Sequence, residues 1–203
     1  MISLIIFNMA QALIAIMLLF FVFDFRFRGE KRANSGVPLL IGILFPLYTV
    51  GYMSVIFTHL ESVGVLDLSA FVLTALGTAL AVKARIDLKG WYAWPGQFNI
   101  NTQLVRTGIY AYMRHPLYVG VFVFIMGTLI TVVMYSGFIF GIFMVMIAAS
   151  VLAFVALAAK QEEVRLQNEL GEIYVSYQCE VNAVLPLGRK RDVLRFSKRE
   201  EEF

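Results

Sequence analysis

The sequence predicts an all-α membrane protein: a polytopic helical bundle of five transmembrane helices, with the N-terminus outside and the C-terminus in the cytosol. Of the 203 residues, 60% are apolar and only 15% are charged, against about half and about a quarter in soluble domains. The apolar residues form continuous runs instead of an alternating pattern, which favours helices over a barrel. The basic residues are confined to alternate segments between these runs.

The first three spans are predicted at residues 2–24, 37–57 and 66–83, from stretches that contain no Asp, Glu, Lys or Arg in their centres. The third has the shortest charge-free core, residues 68–82. Crossing a hydrocarbon layer of about 30 Å takes roughly 20 helical residues, so we expect this span to be short, tilted or shielded by its neighbours. Asp67 and Lys83, at its two ends, are then expected to extend toward the membrane surfaces.

The fourth and fifth spans come from one long charge-free stretch, residues 115–159. It is too long for a single crossing and suits two helices joined by a tight turn. The sequence therefore predicts spans at 117–135 and 138–159, with the turn at residues 135–137.

The distribution of basic residues predicts the orientation. Residues 25–36, 84–116 and 160–203, together with Lys83 at the end of the third span, hold all 17 Lys and Arg. Basic residues favour the cytosolic side, so these segments are expected to face the cytosol. A signal peptide is disfavoured for the first segment, because it lacks a basic start and a clear small-residue cleavage site.

The net charge of +3 follows from this topology and needs no nucleic-acid partner. The basic C-terminal tail, residues 189–203, is expected to lie near anionic lipid headgroups.

The cysteine and histidine counts exclude several kinds of chemistry. The single cysteine, Cys179, cannot form an internal disulfide, and His59 and His115 fall on opposite predicted sides of the membrane. No Cys/His cluster, zinc-protease motif or Gly-rich phosphate loop is present in the sequence, so we expect no metal site.

The first cytosolic polar block ends where the fourth span begins. Proline is favoured in the first turn of a helix, so Pro116 predicts a helix start. Arg114 and His115 would then lie beside the free N–H groups of that helix, an arrangement that suits an anion or a polar ligand head. Trp91 and Trp94, earlier in the block, are more typical of an interfacial anchor than of a binding site.

The second block begins after the fifth span. Its apolar residues recur at helical spacing and predict an amphipathic C-terminal helix, a pattern that more often indicates packing than function; they are Leu166, Leu170, Ile173, Tyr174 and Tyr177. From the residues alone, Glu162 and Glu163 would be interpreted as exposed charges at the end of a span.

Together the two blocks resemble a known family. Arg106-x-Gly108-x-Tyr110, then Arg114-His115-Pro116-x-Tyr118-x-Gly120, and about 40 residues later Glu162-Glu163 with Leu170-Gly171-x-x-Tyr174-x-x-Tyr177 and Leu185-Pro186, are similar to the isoprenylcysteine carboxyl methyltransferase and phospholipid methyltransferase superfamily. This resemblance implies an integral membrane enzyme that uses S-adenosylmethionine (SAM), with a cytosolic cofactor site and a lipid-like acceptor.

The resemblance also implies the site residues. SAM contacts are expected from Thr102, Gln103, Leu104, Val105, Tyr110, His115, Pro116, Tyr118 and Glu162. His115, Arg114 and Glu163 are the candidate catalytic residues, with Arg114 either contacting ligand or pairing with a glutamate. The implied organisation is three N-terminal helices in residues 1–83, a SAM-binding catalytic region at 84–188, and the tail.

One departure from the resemblance concerns the acceptor. In the pattern of the isoprenylcysteine enzymes, an arginine four positions before the SAM-contacting glutamate is associated with the acceptor. The corresponding residue here is Ala158. Because an acceptor carboxylate needs a nearby cation, an amine, thiol or hydroxyl is at least as good a candidate. Two other classes stay open: a membrane reductase of the sterol type that uses NADPH, and a non-enzymatic membrane subunit.

Overall fold

The computed structural model describes residues 2–23, 36–58, 63–88 and 104–184. These ranges contain six α-helices: α1 Ile2–Phe23, α2 Gly36–Thr58, α3 Val65–Asp87, α4 Pro116–Tyr135, α5 Phe138–Leu170 and α6 Glu172–Glu180. A short 3₁₀ turn, Gly108–Ala111, precedes α4. Within the described ranges, β pairing is limited to an isolated parallel bridge between Met113 and Asn182. The predicted all-α class is confirmed for this part of the chain.

Three of the six described helices, α3, α4 and α5, are long and apolar enough to cross a membrane. Shorter apolar stretches, Leu4–Phe20 and Gly42–Thr58, lie in α1 and α2 among the residues that were described. Helices therefore occur at all five predicted positions. The number of crossings and the orientation of the termini stay predictions.

Helices α3 and α4 run antiparallel and make the most extensive helix–helix contact in the described bundle. Small residues let their backbones touch. A Cβ atom added to Gly77 would lie 2.3 Å from the backbone nitrogen of Phe124, and one added to Gly120 would lie 2.6 Å from that of Ala81. Close backbone approach at small residues is a main source of helix association in membranes. The third predicted span is thus a full helix of 23 residues, held along its length by α4.

Asp67 does not extend toward a membrane surface as expected, because it is 7% exposed. Its Oδ2 accepts hydrogen bonds from the Gly64 N–H at 2.7 Å and from the Tyr135 hydroxyl at 2.9 Å. The carboxylate therefore caps the first turn of α3 and ties it to the last turn of α4. This end of the bundle also holds a small cavity, lined by Leu4, Phe7, Asn8, Gln11, Ile56, Val63, Asp67 and Thr131.

The turn between α4 and α5 is confirmed at Ser136 and Gly137, but α5 is longer than predicted. Its 33 residues span about 50 Å at the rise of an α-helix, well beyond a hydrocarbon layer of about 30 Å. Glu162 and Glu163 therefore lie on the same continuous helix as the fifth predicted span.

The predicted amphipathic C-terminal helix is divided in two. Gly171, with φ of +52°, ends α5 and begins α6, because a left-handed residue interrupts the helical path. Leu166 and Leu170 belong to α5, whereas Tyr174 and Tyr177 are buried on α6. Ile173 does not belong to the buried stripe, since it is exposed.

Candidate active site

The helical hairpin of α4 and α5 brings the two polar blocks together. Pro116 begins α4, as predicted, and places Arg114 and His115 just before the helix. Because α5 runs antiparallel to α4 and continues past the membrane-length segment, Glu162 and Glu163 return to the same level. Residues about 45 positions apart thereby form one cluster at the open end of the hairpin, about 30 Å along α4 from the Asp67 end.

Glu163 joins two basic side chains. Its Oε1 lies 3.0 Å from Nη1 of Arg114 and 2.9 Å from Nε2 of His115. All three side chains are largely shielded, with Glu163 the most accessible at 28%. Partial burial lowers the local dielectric and strengthens such contacts relative to an exposed pair. Of the two possibilities for Arg114, the structure therefore contains the pairing with a glutamate.

Glu162 contacts the first turn of α4. The hydroxyl of Tyr118 donates to its Oε2 at 2.7 Å. The rings of Tyr118 and His115 lie with centroids 5.7 Å apart, since residues three apart share one face of a helix turn. The adjacent glutamates thus bind different partners, and neither is the freely exposed charge that the residues alone would indicate.

The backbone before α4 is held by the chain after α6. The N–H of Arg114 donates to the carbonyl of Asn182 at 2.9 Å, and the N–H of His115 donates to that of Ala183 at 3.0 Å. These bonds lie beside the isolated parallel bridge between Met113 and Asn182. The two residues that reach Glu163 are therefore fixed through main chain as well as side chain.

Helix α6 packs on the segment that leads to this cluster. The Tyr177 hydroxyl donates to the carbonyl of Tyr110 at 2.6 Å, and burial raises the pKa of Tyr177 to about 12. Burial also raises the pKa of Tyr174. The Arg106 guanidinium donates to the carbonyl of Ile173 and lies 5.5 Å from the centre of the Tyr177 ring.

Asp87, at the end of α3, binds the backbone of the same segment. Its Oδ2 accepts the N–H of Ile109 at 2.8 Å. Gly108 has a φ of +63°, and a Cβ there would meet the Asp87 carboxylate at 2.2 Å. Glycine is required at this position both for the backbone conformation and for the close approach of the carboxylate.

The remaining predicted site residues lie around this arrangement. Leu104 packs against the buried residues of α6, and Val105 packs against the main core. Tyr110 and Pro116 are buried. Thr102 and Gln103 lie outside the described residues, as do Trp91, Trp94 and His59.

Sequence reasoning missed the supporting roles of Arg106, Asp87 and Asn182. Two patterns in the sequence included Tyr177, the apolar stripe and the family-like motif, and neither indicated its hydrogen bond to Tyr110. Cys179 is exposed and has no disulfide partner. The described residues contain no group of three His, Cys, Asp or Glu side chains that would hold a metal ion.

Fold and site together define a helical membrane protein with a paired acid–base cluster at the open end of a helical hairpin. The phospholipid methyltransferase family model matches residues 66–170, just over half of the chain, and includes every residue of that cluster. The protein belongs to the phospholipid methyltransferase family, within the superfamily of isoprenylcysteine carboxyl and phospholipid membrane methyltransferases. A search of curated proteins finds no significant match.

Proposed function

We propose that this protein is an integral membrane methyltransferase that moves a methyl group from SAM to a lipid-like or small apolar acceptor. The observation that carries the proposal is the pairing of Arg114 and His115 with Glu163, beside that of Tyr118 with Glu162. This cluster lies within the region that matches the family, whose members generally use SAM.

The chemistry of the cluster fits SAM. Its ammonium and ribose hydroxyls need acceptors, which Glu162 and Glu163 can provide. Its carboxylate needs donors. Arg114 can supply one, since its Nε is buried and makes no hydrogen bond with the described residues, and the first N–H groups of α4 have no partner within the helix. Adenine would be enclosed by apolar and aromatic groups of Leu104, Val105, Tyr110 and Pro116, with Thr102 and Gln103 assigned from the family resemblance.

When bound, SAM supplies an electrophilic methyl group on a sulfonium whose positive charge disappears during transfer. A strongly negative site would stabilise this charge before the reaction more than in the transition state. The ion pair with Arg114 reduces that effect, because it offsets the charge of Glu163. Alignment of the acceptor with the methyl group then supplies most of the acceleration, an effect worth up to ~7–11 kcal/mol in well-oriented systems.

We assign His115 as the group that takes a proton from the acceptor. Its Nε2 contacts Glu163 at 2.9 Å, so the proton would be taken by the other ring nitrogen, Nδ1. In the neutral tautomer that donates from Nε2 to Glu163, Nδ1 carries a lone pair and can accept a proton. Glu163 would orient the ring, and an acceptor with a proton to lose, an amine, thiol or hydroxyl, suits this arrangement.

A carboxylate acceptor is less well supported. Ala158, which takes the place of the arginine expected from the isoprenylcysteine enzymes, is buried. Arg114 is paired with Glu163, its remaining donor is assigned to the carboxylate of SAM, and Lys160 is exposed. The described cations near the cluster therefore provide little to bind an acceptor carboxylate.

The test uses membranes that contain the full chain, methyl-labelled SAM, and a panel of acceptors with amine, thiol, hydroxyl or carboxylate groups. We expect label in a protic acceptor and reduced SAM binding in His115→Ala and in Glu162→Ala. Tyr112→Phe serves as the control, since Tyr112 is 62% exposed beside the same segment. Unchanged SAM binding in both alanine variants would contradict the site assignment.

Ligand-induced thermal stabilisation separates the remaining classes. We expect SAM to raise the unfolding temperature of the purified protein and NADPH to leave it unchanged. Stabilisation by NADPH alone would indicate a reductase. Stabilisation by neither would favour a non-enzymatic membrane subunit.

A further inference from the structure

Helix α6 and the residues after it form a clamp over the segment that leads into α4. We use the name clamp for residues 172–183. Its contacts with the segment are of three kinds: the Tyr177 hydroxyl on the Tyr110 carbonyl, the Arg106 guanidinium on the Ile173 carbonyl, and the two main-chain bonds from Arg114 and His115 to the carbonyls after α6.

The clamp depends on this docking for its own structure. Helix α6 has nine residues, and an isolated helix shorter than about 12–15 residues is marginal in water. Its buried residues, Tyr174 and Tyr177, form a small cluster with Val181, against which Leu104 packs from the opposing segment. The α6 helix and the segment before α4 therefore stabilise each other.

Tyr177 does more than fill space. A phenylalanine would occupy nearly the same volume, yet the Tyr177 hydroxyl reaches a carbonyl 67 positions away in sequence while the residue is only 3% exposed. Arg106 lies over the face of the same ring, where a guanidinium is attracted to the aromatic face. Both polar contacts join α6 to the segment that carries Tyr110, itself an expected SAM contact.

We propose that Tyr177 and Arg106 are positioning residues that act through the clamp: they hold α6 in place, so that the carbonyls of Asn182 and Ala183 fix the backbone of Arg114 and His115. This inference rests on the proposed function for its link to SAM. The side chains of Arg114 and His115 reach Glu163 from this backbone, so loss of the clamp contacts alters the site without removing any group that contacts ligand.

The experiment compares Tyr177→Phe with Tyr112→Phe, both as full chains in detergent. Two quantities are measured: the affinity for SAM, and hydrogen exchange of a peptide that contains the amides of Arg114 and His115. One hydrogen bond contributes about 0.5–1.5 kcal/mol. We therefore expect Tyr177→Phe to weaken SAM binding and accelerate exchange of these amides by about two- to tenfold each. Tyr112→Phe is expected to match the wild-type protein in both.

Arg106 provides the second variant if Tyr177→Phe does not fold. Arg106→Gln removes the cation over the Tyr177 ring and is expected to accelerate exchange of the same amides, whereas Arg106→Lys, which retains the charge, restores part of the protection. If the folded variants exchange these amides at the same rate as Tyr112→Phe, the proposed role of the clamp is overturned. Absence of SAM binding by the wild-type protein would instead contradict the proposed function, while the exchange measurement still decides whether the clamp holds this backbone.

Discussion

At the scale of single residues, Glu163 is the central group of the site. One carboxylate oxygen contacts both Arg114 and His115, and all three side chains are mostly shielded from solvent. Each basic side chain would lose its acidic partner if this carboxylate were neutralised. A residue with this set of partners contributes to stability and also orients His115.

We expect Glu163→Gln to lower the free energy of unfolding by ~1–3 kcal/mol, because the largely buried Arg114 guanidinium would lose its ion-pair partner. Glu169→Gln is the matched control on the same helix, since Glu169 pairs with Arg165 in a more exposed position. Exposed pairs contribute about 0–1 kcal/mol. Equal unfolding temperatures for the two variants in detergent would contradict the proposed importance of Glu163.

Alkaline pH is expected to loosen the clamp. Burial raises the pKa of Tyr177 from its ordinary value of 10 to about 12. Between these two pH values the folded protein binds more protons at this residue than the unfolded protein. Stability therefore falls as pH rises through this window, and below it the ionisation of Tyr177 causes no change of stability with pH. The tyrosinate absorbance of the wild-type protein minus that of Tyr177→Phe should titrate near the higher value. A difference curve centred at 10 would contradict the burial of this hydroxyl.

At the scale of helices, the pair α3 and α4 forms the base on which the site is built. Small residues place the two backbones in contact, and each end of the pair is fastened by an aspartate. Asp67 binds Tyr135 at one end, and Asp87 binds the Ile109 backbone at the other. The second contact sets the position of the segment that leads to Arg114 and His115.

Introducing a side chain between these helices should separate them. We expect Gly77→Ser to destabilise the protein by ~1–3 kcal/mol, the usual cost of overpacking, because its Cβ would lie within 2.3 Å of the α4 backbone. Gly137→Ser is the control, since a Cβ there meets no atom within 4 Å. Thermal unfolding of both variants provides the comparison, and similar losses would show that the backbones are not in contact.

At the scale of the whole molecule, the predicted topology places the turn of the α4–α5 hairpin on one side of the membrane and its open end on the other. Ser136 lies in the turn, and the single native cysteine, Cys179, is exposed on α6 at the other end. The chain therefore offers one natural labelling site close to the candidate active site.

Labelling from one side should distinguish these positions. In intact cells, we expect a membrane-impermeant maleimide to label Ser136→Cys in a Cys179→Ser background and to leave native Cys179 unlabelled until the membrane is permeabilised. The physical reason is the confinement of basic residues to the segments predicted to face the cytosol. Labelling of Cys179 in intact cells would contradict the predicted orientation.

The predictable part of the structure follows from local patterns. The charge-free stretch from 115 to 159 predicted a hairpin, its turn and the start of α4 at Pro116, because these depend on span length and on the chemistry of proline. The end of α5 was not predictable from hydropathy, since the helix continues beyond its apolar part. The burial of Asp67 could not be predicted from local sequence because its partner, Tyr135, is 68 positions away.

The sequence by itself determined an apolar all-α chain, the positions of its helices, and the residue types of the candidate site, because periodicity, charge and turn chemistry act over short distances along the chain. Only the tertiary structure decided that Glu163 binds both Arg114 and His115, that Glu162 binds Tyr118, and that α6 closes over the segment before α4. Those contacts join residues 44 to 67 positions apart, and antiparallel packing of helices, which no local pattern encodes, selects which of the possible partners meet.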